Sequence, residues 1–260
     1  MAIERFAERD WGALRNAGRV ASETLATVGA RVQAGVSTGD IDRFVRTDTR
    51  ARGGVPSQLG YHGFPAAVCT SVNDVVCHGI PSPHQLLSPG DIVNVDVTTH
   101  IGGFHGDTSR MFFVGTPGPE ARHVVSVAER CLWAGIEQVR DGARLGDIGA
   151  AIEELAGQEG CSVVRDFGGH GIGRVMHAPP HVPHTGERGR GLRLRTGMAF
   201  TIEPMINLGS AEVIVEADGW TVRTLDGSMS AQFEHTILVT NDGCEVLTGP
   251  AGGGGQEGRR

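Results

Sequence analysis

The first part of the chain carries apolar residues at helical spacing. Residues 7–34 place their apolar side chains on one face of a helix, which predicts an amphipathic helix; these side chains are Leu14, Val20, Leu25, Val28 and Val32. A second helix is predicted to begin at Thr38 as its N-cap and to run through Ile41, Phe44 and Val45. Two more helices are predicted over 117–139 and 145–158.

The other segments have the short-range alternation of strands. After Pro56, short apolar runs are separated by glycines and prolines, as in an antiparallel sheet. From Ser162 onward, the segments with this pattern are VVRDF, MAFTIEPMI, AEVIVEA, WTVRTL and QFEHTILVT. Two helices followed by strands therefore occur twice, and this order predicts a duplicated α+β unit.

Two matched segments support the duplication. LSPGDIVNVD and LRTGMAFTIE each contain a leucine, a glycine three positions later and an acid six positions after that glycine. In this match Leu87, Gly90 and Asp96 correspond to Leu194, Gly197 and Glu203. A chain with 40 glycines can also produce such a match by chance. If the repeat is real, each half contributes one strand acid to a shared cleft.

Residues 94–110, NVDVTTHIGGFHGDTSR, have the pattern of a hairpin that carries two carboxylates. Valines alternate with polar residues before the turn, so Asp96 lies on the face opposite the valines. The glycines at 102–103 suit a tight turn, and folding back there brings Asp107 close to Asp96. Two like charges this close raise a pKa unless a cation lies between them. Asp107 also fits an ordinary turn aspartate, whereas Asp96 fits that alternative poorly.

Two further acids and three histidines have comparable contexts. Glu203 in AFTIEPM and Glu234 in SAQFEHTILV are lone acids in apolar, strand-like segments, where an acid on the wet face of a sheet is the other interpretation. His170 in FGGHGIG has glycine on both sides, which we interpret as a tight turn that leaves the imidazole uncovered. His78 in VCHGIP and His177 in VMHAPP precede turn residues, as cleft-lining groups often do, and each alone fits a loop histidine equally well.

Four carboxylates and one imidazole form an oxygen-rich set of ligands. This set suits two divalent ions, with Mn²⁺, Fe²⁺ or Co²⁺ favoured over Zn²⁺ or Mg²⁺. Two such ions about 3.5–4 Å apart can hold a bridging hydroxide and polarise a carbonyl group. Shared metal would explain why the two aspartates tolerate each other in the hairpin.

Composition limits the other functions that the chain can have. The formal net charge is −7 and no basic cluster occurs, which argues against a nucleic-acid partner. The N-terminal segment is charged and no run of about 18 apolar residues exists, so neither a signal peptide nor a membrane span is expected. Five scattered cysteines without a CxxC pair indicate a reducing compartment, so we expect a cytoplasmic protein. Residues 1–250 are predicted to form one catalytic domain and residues 251–260 a disordered tail.

Six ordered segments resemble those of type I methionine aminopeptidases: VNDVVCHGIP, GDIVNVDV, GFHGDTSRMF, GHGIGRVMH, FTIEPM and SAQFEHT. The resemblance extends over residues 7–248. It implies the α+β pita-bread (creatinase/aminopeptidase) fold, an antiparallel curved sheet with flanking helices and internal pseudo-twofold symmetry. The short run from His170 to Glu203 leaves no room for the helical insertion of type II enzymes. The implied function is hydrolytic removal of the N-terminal methionine from nascent proteins and peptides whose second residue is small.

The resemblance also implies roles for individual residues. The metal ligands would be Asp96, Asp107, His170, Glu203 and Glu234. The implied mechanism is hydrolysis by a metal-activated hydroxide, in which Glu203 moves the proton while His78 and His177 position the substrate and stabilise the tetrahedral intermediate. The first side chain of the substrate would lie among Tyr61, Phe64, Cys69 and Trp220, with Met176 nearby.

The chain departs from the family pattern at three positions. Gln58 stands where many members have cysteine, Met176 where an aromatic residue is common, and Phe64 where tyrosine is frequent. These changes affect the side-chain pocket rather than the metal site. No zinc-finger or proline-rich extension is seen, so docking on the ribosome through such a module is not expected. We expect a monomer whose partners are nascent-chain N-termini, with the ribosome as a candidate partner.

Three alternative functions fit parts of the pattern. A prolidase or Xaa-Pro aminopeptidase has the same fold, and so does a creatinase-like amidine hydrolase. Both usually carry an extra N-terminal domain, for which this chain has no residues. A metal-free binding protein of this fold would have lost metal ligands, whereas all five ligand positions are filled here.

Overall fold

The computed structural model describes residues 3–249, and the predicted disordered tail over 251–260 lies outside the described residues. Four α-helices occur in the described part: α1 (Glu8–Gly29), α2 (Thr38–Ala51), α3 (Pro119–Ile136) and α4 (Leu145–Gln158). The last helix has the predicted bounds. The prediction for α1 was too long, because the helix ends at Gly29, and α3 is shorter at both ends than predicted.

The start of α2 differs from the prediction by one residue. Ser37, not Thr38, is the N-cap: its Oγ accepts the backbone N–H of Asp40 at 3.0 Å, and Oδ2 of Asp40 accepts the backbone N–H of Ser37 at 3.0 Å. This reciprocal capping box satisfies two backbone donors that the helix leaves unpaired. Thr38 is buried instead, and its hydroxyl donates to the carbonyl oxygen of Ser82 at 3.1 Å.

Strands occupy much of the remainder of the described chain. They are β1 (Val55–Pro56), β2 (Cys69–Val72), β3 (Val75–Cys77), β4 (Ile92–Ile101), β5 (Phe104–Phe113), β6 (Ser162–Val163), β7 (Gly169–Gly171), β8 (Ala178–Val182), β9 (Ala199–Ile202), β10 (Met205–Asn207), β11 (Val213–Val215), β12 (Val222–Thr224), β13 (Ser230–Gln232), β14 (Glu234–Thr240) and β15 (Gly243–Val246). A short 3₁₀ turn covers Tyr61–Gly63. No helix lies between His170 and Glu203, as the type I resemblance implies.

A nine-stranded antiparallel sheet positions the cleft. Its order is β1-β4-β5-β14-β9-β7-β8, with β2 also paired to β4 and β15 to β14. Val93, Val95 and Val97 of β4 pack with residues of α1 and α2, and α3 and α4 pack behind β9 and β14 in a second apolar cluster. The helices thus cover one face of the sheet. Since side chains alternate along a strand, the polar residues of β4 lie on the opposite face.

The predicted duplication is confirmed by a constant offset of 107 residues. Helix α2 at 38–51 recurs as α4 at 145–158, and β1 at 55–56 recurs as β6 at 162–163. The matched leucines have matched partners, since Leu87 N donates to the Val36 carbonyl at 2.9 Å and Leu194 N to the Ala143 carbonyl at 2.7 Å. Asp96 and Glu203, 107 residues apart, therefore stand at equivalent places in two halves of one fold.

Two predicted strands are interrupted beside an acid. MAFTIEPMI divides into β9 and β10 around Glu203-Pro204, because proline has no N–H to give to the ladder. QFEHTILVT divides into β13 and β14 at Phe233, so that β14 begins with Glu234. Of VVRDF only Val163 is in a strand, as the last residue of β6. The interruptions place both glutamates next to strand ends.

Among the helices described, none combines the length and apolar character needed to cross a membrane.

Candidate metal centre and cleft

The predicted hairpin holds the two aspartates on one face of the sheet. β4 and β5 pair over their full lengths, with Asp96 opposite Ser109 and Thr98 opposite Asp107. The turn at 102–103 has positive φ at both glycines, +60° and +83°, as a two-residue hairpin turn requires. The carboxylates are therefore two residues apart across the ladder, as predicted.

Threonines on neighbouring strands orient Asp107. The Thr98 hydroxyl donates to Oδ1 of Asp107 at 2.7 Å. On the other side, Oγ1 of Thr236 accepts the backbone N–H of Asp107 at 3.0 Å and donates to its carbonyl oxygen at 2.8 Å. The carboxylate is 4% exposed. Oδ2 of Asp107 is thereby left to face the centre of the site.

Glu203 is held at three points. The Thr201 hydroxyl donates to Oε1 at 2.7 Å, and the Gln232 side-chain amide donates to Oε2 at 3.2 Å. The backbone N–H of Glu203 donates to Nε2 of His184 at 3.1 Å. Because β9 and β14 are paired in the sheet, the start of β14 brings buried Glu234 to the same place.

His170 lies in strand β7 and not in the tight turn that the flanking glycines suggested, so that interpretation was wrong. None of the glycines beside it has a positive φ. Instead, a Cβ atom on Gly169 would lie 2.2 Å from the carbonyl oxygen of Thr201, and one on Gly171 would lie 2.1 Å from that of Pro179. Glycine is needed there because the backbones of neighbouring segments pack directly against β7.

The imidazole of His170 reaches the carboxylates. Its Nε2 lies 3.7 Å from Oδ2 of Asp107 and 3.7 Å from Oε1 of Glu203, too far for a hydrogen bond. Burial, followed by the neighbouring His177, lowers the pKa of His170 to about 3. The ring is therefore neutral at pH 7 and makes no ion pair with either acid.

Burial dominates the electrostatics of the four acids. It raises the pKa of Asp107 to about 7 and that of Glu203 to about 8. Burial, and then the charges of the neighbouring acids, also hold the pKa values of Asp96 and Glu234 well above their usual range. Four carboxyl groups so placed cannot all ionise without a compensating cation.

A divalent cation fits this set of side chains. Asp107, His170 and Glu234 offer ligand atoms that all lie within 4.8 Å of one another. Oδ1 of Asp96 is buried and has no hydrogen-bond partner, although buried polar atoms are normally paired. Carboxylate oxygens with one neutral imidazole are a donor set for borderline and hard divalent ions. The structure therefore brings the five predicted ligands together around a place suited to metal.

A cavity of about 430 Å³ opens beside these residues. His78, His170, His177 and Glu203 line it. The ring centroids of His170 and His177 are 4.1 Å apart, and burial is the first cause that lowers the pKa of His177 to about 4. His78 has a positive φ of 56°, a strained conformation for a residue with a side chain, which occurs most often at functional sites.

The predicted side-chain pocket is an apolar group at one side of the cleft. Phe64, Cys69 and Trp220 belong to one cluster, with the Phe64 and Trp220 rings 5.1 Å apart in an edge-on arrangement. The Trp220 ring also lies 6.4 Å from that of His78. Tyr61 packs on His177, with centroids 4.9 Å apart. The neighbouring Met176 is buried and does not line the cavity.

Three residues of the site had no signal that stood out in the sequence. His181 lies opposite His170 across the β7–β8 ladder and lines the cavity, as does Phe167. His184 is 1% exposed and fixes the backbone of Glu203. The alternation of histidines in PHVPH is the one hint of strand β8, and the prolines around it conceal that strand.

Comparisons with known proteins agree with this geometry. The model of metallopeptidase family M24 matches residues 12–241. Methionine aminopeptidase A of Synechocystis sp. is 51% identical over 246 residues, which are 95% of this chain and 97% of that protein. The crystal structure of methionine aminopeptidase from Rickettsia prowazekii has a TM-score of 0.93 at 47% identity and covers 95% of this chain and 100% of that one.

A more distant solved structure shares the fold alone. Xaa-Pro dipeptidase from Bacillus anthracis has a TM-score of 0.75 at 19% identity, over 95% of this chain and 62% of that one. The chain is much more similar to the methionine aminopeptidases than to this dipeptidase, both in identity and in the share of each chain that is matched. The chain belongs to metallopeptidase family M24 and, within it, to the methionine aminopeptidases.

Proposed function

We propose that this chain hydrolyses the peptide bond after an N-terminal methionine when the second residue of the substrate is small. The observation that carries the proposal is the set of four carboxylates and His170, each buried or half-buried, which opens into a cavity beside the apolar group of Phe64, Cys69 and Trp220. Relatives named methionine aminopeptidases at about half identity support the same activity.

As a member of a metallopeptidase family, the chain uses divalent metal. We assign two ions to the site, with Co²⁺, Mn²⁺ or Fe²⁺ favoured over Zn²⁺ or Mg²⁺. The residues that would hold them are Asp96, Asp107, His170, Glu203 and Glu234. Divalent ions bound there would lower the pKa of a bound water and polarise the scissile carbonyl.

Glu203 is the residue that moves the proton. Its Oε1 and Oε2 are held by Thr201 and Gln232, so both oxygens keep a fixed direction. Burial raises the pKa of Glu203 to about 8 in the metal-free protein, and bound metal would lower this pKa. Held in a fixed direction beside metal-activated water, the carboxylate would take a proton from the water and return it to the leaving amine.

His177 and His78 act on the substrate and not on the metal. Both line the cavity, and burial keeps both rings neutral because it lowers their pKa values. A neutral imidazole can donate one N–H to the carbonyl oxygen on which charge develops. The position of His177 against His170 and Tyr61 fixes its ring for this task.

The natural substrates in this proposal are the N-termini of nascent chains, so the protein would act in the cytoplasm. We propose a monomer, because the residues of the site all come from one chain. Direct docking on the ribosome is a separate possibility that no feature of the described residues supports. Cleavage of Xaa-Pro bonds is the competing activity, because prolidases have this fold. A metal-free binding protein would not need metal ligands, whereas all five predicted ligand positions are filled in this chain.

The deciding experiment compares two substrates on one metal-reconstituted preparation. Co²⁺-loaded protein should release methionine from Met-Ala-Ser and leave Gly-Pro intact, and chelation of the metal should stop the reaction. Preferential cleavage of Gly-Pro would replace the proposal with a prolidase. Stoichiometric metal uptake without cleavage of either peptide would replace it with a non-catalytic role.

A further inference from the structure

Two strands share one edge of β4, and a gap separates them. β1 pairs with Thr99 and His100, whereas β2 pairs with residues 93–96. The backbone N–H of Ser57, which follows β1, donates to the Thr98 carbonyl at 2.9 Å, and the chain then leaves the sheet. The carbonyl of Asp96 and the N–H of Thr98 face the gap, where no strand residue is present to pair with them.

The side chain of Gln58 fills this gap. Its Nε2 donates to the Asp96 carbonyl at 3.0 Å, and its Oε1 accepts the Thr98 N–H at 3.4 Å. The residue is 7% exposed, so water does not offer an easy replacement for either bond. One side-chain amide thus supplies the donor and the acceptor that a missing strand residue would supply, as buried backbone groups require.

The two residues that Gln58 holds are the ones that direct the aspartates. Asp96 carries one proposed ligand itself, and the hydroxyl of Thr98 donates to Oδ1 of Asp107 at 2.7 Å. We propose that Gln58 is a positioning residue for the metal centre, which aligns Asp96 directly and Asp107 through Thr98. This inference rests on the metal site of the proposed function and not on its substrate.

Gln58 also links the metal centre to the side-chain pocket. Its Nε2 lies 3.8 Å from Sγ of Cys69, which belongs to the apolar cluster with Phe64 and Trp220. A cysteine at position 58 would be too short and would have too few polar groups to bridge Asp96 and Thr98. The bridge therefore depends on the length and the amide group of the glutamine side chain, and replacement of this residue tests it directly.

The test measures metal affinity, with Co²⁺ as the probe. Gln58→Met keeps the length of the side chain and removes both amide groups. Residues that orient metal ligands typically change affinity by about 10–100-fold when they are replaced. We therefore expect Gln58→Met to weaken Co²⁺ binding by about 10-fold or more in calorimetric titration and to alter the visible Co²⁺ spectrum. Gln138→Met is the matched control, since the side-chain amide of Gln138 donates to the Ala134 carbonyl at the end of α3, and this variant should behave as the parent protein does.

Each result separates positioning from a purely structural role. Unchanged Co²⁺ affinity and spectrum in Gln58→Met would overturn the inference, even if the melting temperature falls. If Gln58→Met does not fold, Gln58→Asn decides, because it keeps the amide but cannot reach both partners; weakened binding supports positioning and parental binding overturns it. A parent protein that takes up no Co²⁺ would overturn the metal site of the proposed function, and this inference with it.

Discussion

The hydroxyl of Thr201 donates a hydrogen bond to Oε1 of Glu203 at 2.7 Å. Oγ1 of Thr201 also accepts the backbone N–H of His170 at 2.9 Å. One small side chain on β9 therefore aligns two of the proposed ligands, which come from different strands. Thr98 does the same for Asp107 in the first half of the fold, so each half has a threonine that orients a carboxylate.

Replacement of Thr201 by valine should weaken the metal centre without unfolding the protein. Thr201→Val keeps the shape and removes the hydroxyl, so Glu203 loses a donor and the His170 N–H loses its acceptor. A buried unpaired donor costs about 1–3 kcal/mol, and we expect metal affinity to fall about 10–100-fold. Titration with Co²⁺ measures the change, and Thr47→Val, on the exposed face of α2, is the control. Parental affinity in Thr201→Val would mean that this threonine only stabilises the sheet.

Asp107→Asn should lose most of its metal and activity and should remain folded. One charge and one acceptor oxygen disappear together, at a residue whose Oδ2 lies 3.7 Å from Nε2 of His170. Metal content by elemental analysis and turnover of Met-Ala-Ser measure the outcome. Asp242→Asn makes the same change on an exposed aspartate and should affect neither. Normal metal content and turnover in Asp107→Asn would show that the ligand assignment is wrong.

His177→Ala should separate catalysis from metal binding. Loss of a donor to the developing oxyanion lowers kcat by roughly 10²-fold or more, and the metal stoichiometry should stay as in the parent protein. Steady-state kinetics with metal analysis on the same samples provide both numbers. His84→Ala, at an exposed position, controls for the loss of a histidine. Loss of metal from His177→Ala would make His177 a ligand and remove the role assigned to it.

The metal-free protein should become less stable as the pH rises from about 6.5 to about 8. Folding raises the pKa of Asp107 from 3.8 to about 7 and that of Glu203 from 4.5 to about 8. The folded state therefore binds more protons than the unfolded state, and the free energy of unfolding falls with increasing pH. Histidines with lowered pKa values act in the opposite direction, and their contribution fades as the pH rises past their unfolded value of 6.5.

Metal should reverse this dependence. Metal binding requires deprotonated carboxylates and releases their protons, so affinity increases with pH. Melting temperatures of metal-free and Co²⁺-loaded protein, measured between pH 6.5 and 8.5, should have slopes of opposite sign. A melting temperature of the metal-free protein that is flat or rises over this range would show that the buried carboxyl groups are not protonated.

Local patterns predicted much of the fold and singled out the four acids and the one histidine that lie together at its centre. Alternation placed Asp96 opposite the valines of β4, and the repeat of Leu87 and Gly90 at Leu194 and Gly197 marked the duplication. These features depend on residues that are close in sequence. Helical periodicity likewise predicted α4 at its observed bounds.

Features that depend on distant contacts were not predictable in this way. The glycines beside His170 reflect the packing of Thr201 and Pro179, which no local pattern contains. His184 contacts the backbone of a residue 19 positions away, and the Gln58 side chain replaces a strand residue 38 positions from the carbonyl that it binds. Each of these roles arises from the three-dimensional arrangement of strands and not from the residue's own neighbours in sequence.

In the proposed function, specificity for methionine depends on the apolar group beside the cleft. The rings of Phe64 and Trp220 meet edge-on, and Cys69 belongs to the same apolar cluster. Such a pocket favours an unbranched thioether through burial and sulfur–aromatic contact. A β-branched side chain would crowd it, and a charged one would lose its water without gaining a partner. Norleucine, which has the same shape without the sulfur, should be released slowly.

Trp220→Ala should reduce the preference for methionine without affecting metal. Full burial of the substrate's methionine side chain contributes about 1.5–3 kcal/mol. Loss of one wall of the pocket should therefore lower kcat/KM for Met-Ala-Ser about 10-fold. The loss should be smaller for Leu-Ala-Ser, because a wider pocket admits the branched chain. Trp133→Ala, on the partly exposed face of α3, is the control. In the parent protein Met-Ala and Met-Gly peptides should react fastest, Met-Val and Met-Thr more slowly, and Met-Lys and Met-Phe almost not at all. If Trp220→Ala lowers kcat/KM equally for methionine and leucine substrates, Trp220 shapes the cleft as a whole, and selection of the thioether must reside in Phe64 and Cys69.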